Sequence, residues 1–126
     1  MEHSFSDLVG KTLTAVTGEV GDETMTFTCD NGEKYELYHS QDCCESVSIE
    51  DICGDLGWLV GSPIIRASED TSGENPVGIV KEYQDSFTWT FYNIATSKGH
   101  VTIRWYGESN GYYSESVDFR QLTPRI

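Results

Sequence analysis

The sequence predicts an α+β fold: a predominantly antiparallel β-sheet, built from an N-terminal hairpin and a C-terminal three-strand meander, with one central α-helix. Three observations lead to this prediction. Apolar and polar residues alternate near both ends of the chain, helical spacing appears between them, and turn signals separate the runs. The chain has 126 residues, of which 12% are aromatic, so residues 1–126 are long enough to form a single domain with its own core.

The N-terminal segments predict strands. Residues 11–17 alternate in the manner of a strand with one buried face. Residues 24–29 are rich in β-forming side chains, and residues 34–39 alternate apolar and charged side chains. The turn signal Asp30-Asn31-Gly32 separates these two runs, which predicts a β-hairpin.

The middle of the chain predicts the helix. Ser48 and Asp51 have the spacing of a capping box, which marks a helix start. Gly61-Ser62-Pro63 marks its end, after which residues 64–68 predict a short strand and 69–78 a loop. The apolar residues at helical spacing are Ile49, Ile52, Cys53, Leu56, Leu59 and Val60.

The C-terminal third predicts a meander of three strands, 87–96, 100–106 and 112–119. The turns between them are Lys98-Gly99 and Ser109-Asn110-Gly111.

Pairing across these turns predicts one apolar face. A two-residue turn at Lys98-Gly99 places Ile94 opposite Ile103 and Tyr92 opposite Trp105. A three-residue second turn then places Val117 opposite Ile103, which extends the same face into the third strand.

The other face of the meander has an unusual composition of aromatic rings, a guanidinium, a carboxamide and hydroxyls. These are the groups that a nucleotide-like ligand needs: a ring for the base, an amide for its edge and an arginine for phosphate. The alternative, which the residues alone favour, is that this face packs on another sheet or on a neighbouring subunit. Its residues are Phe87, Trp89, Phe91, Asn93, Arg104, Tyr106, Ser114 and Ser116.

The charge balance limits the classes of partner. The formal net charge is −13, which disfavours binding to duplex nucleic acid or to an anionic membrane. The same charge leaves open an acidic inhibitor that mimics nucleic acid and blocks a basic protein. Residues 86–107 contain no Asp or Glu, however, and this gap favours a site that accepts an anion.

The cysteines and the absence of catalytic motifs predict a reduced, non-enzymatic protein. Cys43 and Cys44 are adjacent, so we expect no disulfide between them, a buried structural role, and a cytoplasmic location. Together with His39 they lack the paired spacing of a zinc site, so no metal is predicted. The chain has no P-loop, no nucleophile elbow and no apolar run long enough to span a membrane, and we expect no cofactor.

Four segments carry a family resemblance. They are Tyr38-His39-Ser40-Gln41-Asp42-Cys43-Cys44-Glu45, Ser48-Ile49-Glu50-Asp51-Ile52-Cys53-Gly54-Asp55-Leu56, Trp89-Thr90-Phe91-Tyr92, and Thr102-Ile103-Arg104-Trp105-Tyr106-Gly107-Glu108-Ser109-Asn110-Gly111-Tyr112-Tyr113-Ser114. The sequence resembles a small family of phages and prophages, which we associate with the Thoeris anti-defence proteins of the first type.

The resemblance implies a function and a site. Such proteins are homo-oligomers that bind and sequester a cyclic ADP-ribose signal, in some members also cyclic oligonucleotides, without cleaving it. The protein would then act in the cytoplasm of the host bacterium. By position, the resemblance places ligand contacts at Phe91, Asn93, Arg104, Arg66, Tyr106 and Tyr112.

Overall fold

The computed structural model describes residues 4–76, 78–79, 86–111 and 113–122. Within these ranges the chain forms eight β-strands and two short 3₁₀ turns, Phe5–Leu8 and Leu56–Leu59. The strands are β1 (Leu13–Thr17), β2 (Thr24–Cys29), β3 (Lys34–Tyr38), β4 (Ser46–Cys53), β5 (Arg66–Ser72), β6 (Ser86–Thr96), β7 (Gly99–Ser109) and β8 (Asp118–Leu122).

The strands form two four-stranded antiparallel sheets. The first sheet has the order β1-β2-β3-β8 and the second has the order β4-β7-β6-β5. Buried residues of both sheets belong to a single apolar cluster, so the sheets pack face to face as a β-sandwich. Trp105 of β7 and Phe27 of β2 are among its fully buried members.

The prediction of a central α-helix, and therefore of an α+β fold, is wrong. Residues Ser46–Cys53 form β4, which pairs with β7, and only the turn Leu56–Leu59 is helical. A β-bulge between Ile49 and Asp51 explains the misleading spacing. The extra residue turns Ile49 and Ile52 toward the same face, so a three-residue spacing that is typical of a helix arises in a strand.

The N-terminal hairpin is confirmed. Strands β2 and β3 pair in register from Thr24 opposite Tyr38 to Thr28 opposite Lys34. The turn between them uses Gly32 at φ 90°, a conformation that glycine adopts without a steric penalty.

The first hairpin of the meander is confirmed, but its predicted register is wrong by two positions. Thr96 pairs with Gly99, so the turn is Ser97-Lys98 and Ile94 faces Val101 rather than Ile103. Gly99 is the first residue of β7, and the Trp58 ring packs on it, so that a Cβ there would lie 2.6 Å from that ring. A shift of two positions preserves which residues share a face.

The prediction of a third meander strand, residues 112–119, is wrong. Residues 113–117 leave the second sheet, and β8 pairs with β3 in the first sheet. The neighbour of β7 is therefore β4, which brings acidic residues beside β7. Strand β5 runs from Arg66 to Ser72, so the first residues of the predicted loop 69–78 belong to a strand.

Candidate functional site

The outer side of the second sheet carries a group of side chains that we call the aromatic face: Phe87, Trp89, Phe91, Asn93, Arg104 and Tyr106. They share one side because β6 and β7 pair directly and side chains alternate along each strand. The ring centroids of Trp89 and Tyr106 are 4.6 Å apart, and those of Phe87 and Tyr106 are 6.2 Å apart.

Trp89 is the best-covered residue of the aromatic face. Its side chain is fully buried although it lies on the outer side of the sheet. Its indole N–H donates to Oδ1 of Asn75 at 3.0 Å, and the Arg104 guanidinium lies 5.3 Å from its ring centroid. This packing gives the face a fixed aromatic centre, around which Phe91 and Tyr106 are half-buried.

Arg104 lies at the middle of the aromatic face and is bound by two carboxylates of β4. Its Nε donates to Oε2 of Glu50 at 2.6 Å, and its Nη2 lies 3.6 Å from Oδ2 of Asp51. Its side chain is 19% exposed. The guanidinium has more N–H donors than these two carboxylates use, so it can accept a further anionic partner.

The other predicted contacts on this face are also adjacent to Arg104. Phe91 is its direct cross-strand partner, and Asn93 pairs with Thr102. The Thr102 hydroxyl donates to Oδ1 of Asn93 at 2.9 Å, which orients the amide. The structure therefore brings Phe91, Asn93, Arg104 and Tyr106 together.

Two predicted contacts do not join this group. Arg66 pairs with Ala95, four residues along β6 from the partner of Arg104, which separates the two arginines by about 13 Å along the strand. Tyr112 lies outside the described residues. Ser114 and Ser116, which the meander register placed on the same face, belong to the segment that crosses to the first sheet.

Sequence reasoning missed a buried ion pair between His39 and Glu45. The His39 Nε2 atom lies 2.8 Å from Oε2 of Glu45, and Nδ1 lies 2.6 Å from the Ser116 carbonyl oxygen. The ring therefore lies between two oxygen atoms, one of the Glu45 carboxylate and one of the Ser116 carbonyl. This pair fixes the loop between β3 and β4 to the crossing segment.

The Glu45 carboxylate also accepts hydrogen bonds from its own loop. The backbone N–H groups of Asp42 and Cys43 donate to it, each at 2.9 Å, and so does the Gln41 amide at 3.2 Å. Burial alone would raise the pKa of Glu45, but the Cys43 N–H, the His39 ring and the other donors outweigh it and lower the pKa to about 2. Glu45 therefore stays ionised inside the protein.

The expectation of reduced, buried adjacent cysteines is wrong. Cys43 and Cys44 form a disulfide on an exposed loop. Cys53 is free and exposed, and only Cys29 is a free buried thiol. The described residues hold no group of three His, Cys, Asp or Glu side chains arranged for a metal ion.

Comparison with known proteins identifies the family. A family model described as a domain of unknown function, DUF7448, matches residues 6–119. The chain belongs to this family. No curated protein and no solved structure matches it. Within the part of the chain that the structure describes, neither helical turn has the length and apolar character needed to cross a membrane.

Proposed function

We propose that this DUF7448 protein binds and sequesters a cyclic nucleotide signal of the cyclic ADP-ribose type on its aromatic face, and does not cleave it. The observation that carries the proposal is the position of Arg104 beside Phe91, Trp89 and Tyr106. A nucleotide has an aromatic base and phosphates, and these groups are complementary to rings and a guanidinium at short range.

The placement of Asn93 supports the same ligand class. Its amide N–H₂ is not used by the bond from Thr102, which ends on Oδ1. An oriented amide beside aromatic rings suits the edge of a base. Sequestration requires tight binding but no catalytic groups. A rigid, mostly preformed face is therefore sufficient for this function.

Glu50 and Asp51 set a condition on this binding. They already balance the charge of Arg104, so a phosphate must use the remaining N–H donors of the guanidinium or displace Glu50. A pocket closed by a second copy of the chain would exclude water and strengthen the contact with phosphate. We therefore include a homo-oligomer, acting in the cytoplasm of a host bacterium, in the proposal.

The acidic residues that surround the aromatic face favour a second candidate function. Besides Glu50 and Asp51, Asp70 pairs opposite Phe91 and Glu108 opposite Phe87. With a net charge of −13 over the chain, such a surface suits an inhibitor that blocks the basic surface of a defence protein or nuclease. This candidate predicts a salt-sensitive protein complex and no small ligand.

Replacing Arg104 by lysine tests the proposed site. Lysine keeps the charge opposite Glu50 but cannot offer a planar fork to phosphate, so calorimetric affinity for cyclic ADP-ribose should fall at least about tenfold. The matched control is Arg66→Lys, the same change at the far end of the sheet, which should leave the affinity unchanged. Equal weakening in both variants would place the ligand elsewhere.

A further inference from the structure

The disulfide between Cys43 and Cys44 lies on the surface, in the loop between β3 and β4. Both residues are exposed, so a dissolved thiol can approach them. The attack of a thiolate on a disulfide depends on such access, and a disulfide enclosed in a core is protected from it. The pair is therefore open to thiol–disulfide exchange in the folded protein.

The same disulfide is poorly placed to stabilise the fold. A disulfide stabilises a protein mainly because it closes a loop of the unfolded chain, and this effect grows with the length of the loop. Cys43 and Cys44 are neighbours in the sequence, with a separation of 1, so their bond encloses no other residue and joins no two strands. A structural cross-link is therefore not the role of this pair.

The loop is held by hydrogen bonds that do not use the sulfur atoms. The Cys43 N–H donates to Oε1 of Glu45 at 2.9 Å, and the Cys43 carbonyl accepts from the Gln41 amide at 3.3 Å. The Glu45 carboxylate also contacts the His39 ring, with 2.8 Å between Oε2 and Nε2. These contacts involve backbone, amide, imidazole and carboxylate atoms, so they can persist when the S–S bond opens.

The two other cysteines are unsuited to supply the thiol that opens the pair. Cys29 is buried, and burial raises the pKa of its thiol. Cys53 is exposed, but its thiol donates to Oδ2 of Asp51 at 3.4 Å, and this contact raises its pKa. A thiol with a raised pKa contains less of the thiolate that attacks a disulfide. The reacting thiol therefore comes from another molecule.

We propose that Cys43 and Cys44 form a reversible two-electron redox site, which is reduced by dithiols and oxidised by disulfides of the glutathione class. Disulfides of cytoplasmic proteins are usually transient, and they serve catalysis or redox sensing. The supply of dithiols by a cytoplasm rests on the proposed function, whereas the access to the pair and its lack of a structural role do not.

The exchange conserves atoms and electrons. A thiolate of the dithiol attacks one sulfur atom of the pair, the S–S bond breaks, and the other sulfur leaves as a thiolate that takes up a proton. The second thiol of the reductant then displaces the first sulfur, which is protonated in turn. The protein gains two electrons and two protons, and the reductant becomes a disulfide. Oxidation by glutathione disulfide reverses these steps and releases two molecules of glutathione.

Intact-mass spectrometry tests the site in the full chain with Cys53→Ser, which removes the exposed free thiol. The folded protein is treated with dithiothreitol, then with glutathione disulfide, and each sample is acid-quenched, denatured and alkylated with N-ethylmaleimide. We expect one label, on Cys29, in the oxidised protein, three labels after reduction, and one label again after reoxidation. Reduction of the folded chain should be at most about tenfold slower than reduction of the urea-unfolded chain.

The matched control adds Cys43→Ser to the same protein. It keeps Cys44 but cannot form the internal disulfide, so glutathione disulfide should leave a stable glutathione adduct on Cys44 in place of the closed pair. The melting temperature separates a redox site from a structural cross-link. Reduction of the parent protein, and this control, should each lower it by less than about 5 °C.

Three results would overturn the proposal: labels on Cys43 and Cys44 that appear only in urea, three labels that persist after glutathione disulfide, or a larger loss of melting temperature on reduction. No cyclic nucleotide is present in these measurements. Their failure is therefore distinguishable from a failure of the proposed function.

Discussion

Replacing Glu45 by glutamine is expected to lower the melting temperature at neutral pH by on the order of 10 °C. The carboxylate accepts from the His39 ring and from the N–H groups of Asp42 and Cys43. Glutamine would leave the buried His39 ring without its carboxylate partner and would direct an amide N–H₂ toward other donors. The connection between the β3–β4 loop and the Ser116 carbonyl would weaken with it.

The pH dependence of this effect has a definite sign. The pKa of Glu45 falls from 4.5 to about 2 on folding, so its carboxylate stabilises the protein fully above pH 4.5 and loses that effect as the pH falls toward 2. The difference in melting temperature between wild type and Glu45→Gln should therefore be largest near neutral pH and shrink below pH 4.5. The control is Glu23→Gln, the same change at an exposed position. A Glu45→Gln variant as stable as this control would contradict the buried ion pair.

Replacing Gly107 by alanine is expected to reduce the free energy of unfolding by about 2–4 kcal/mol. A Cβ at this position would lie 2.5 Å from the Glu115 carbonyl oxygen, because the segment from β7 to β8 crosses directly over β7 there. The obstacle is backbone that Glu115 and Ser109 hold in place, so a side-chain rotation cannot relieve it.

Gly73→Ala is the matched control for Gly107→Ala. A Cβ at Gly73 would meet no atom within 4 Å, and the residue is exposed. Chemical denaturation should show this variant to be as stable as the wild type or slightly more stable, since alanine restricts the unfolded chain. Wild-type stability of Gly107→Ala would mean that the crossing segment does not pass over β7.

The pairing of neighbouring strands was predictable because it depends on local patterns. The turn residues Asp30-Asn31-Gly32 and the alternation around them specify β2 and β3. The prediction of which residues of β6 and β7 share a face was also correct, since an error of two positions in register leaves the alternation of side chains intact. Arg104 and Phe91 could therefore be assigned to one face from the sequence alone.

The helix and the third meander strand could not be predicted, for two physical reasons. A bulge after Ile49 gives a strand the spacing of a helix, and no local signal distinguishes the two. The transfer of β8 to the first sheet depends on long-range packing of Val117 and Phe119 in the common core. Glycine at 107 allows the crossing, but its role appears only with Glu115 above it.

These two errors also made the predicted electrostatics of the site wrong. Residues 86–107 contain no acidic side chain, so the hairpin read by itself offers Arg104 to an anion. Once Ser46–Cys53 is a strand beside β7, Glu50 and Asp51 reach Arg104. Glu45 directly precedes this strand and contacts His39, a residue that the sequence analysis considered only as part of a poor metal cluster.

Titration of the protein with cyclic ADP-ribose, followed by denaturation and mass spectrometry of the released ligand, tests the proposed function most directly. The account predicts saturable binding and recovery of the intact signal in an amount equal to the bound amount. Cleaved product, or no binding while a basic protein forms a salt-sensitive complex, would contradict sequestration on the aromatic face.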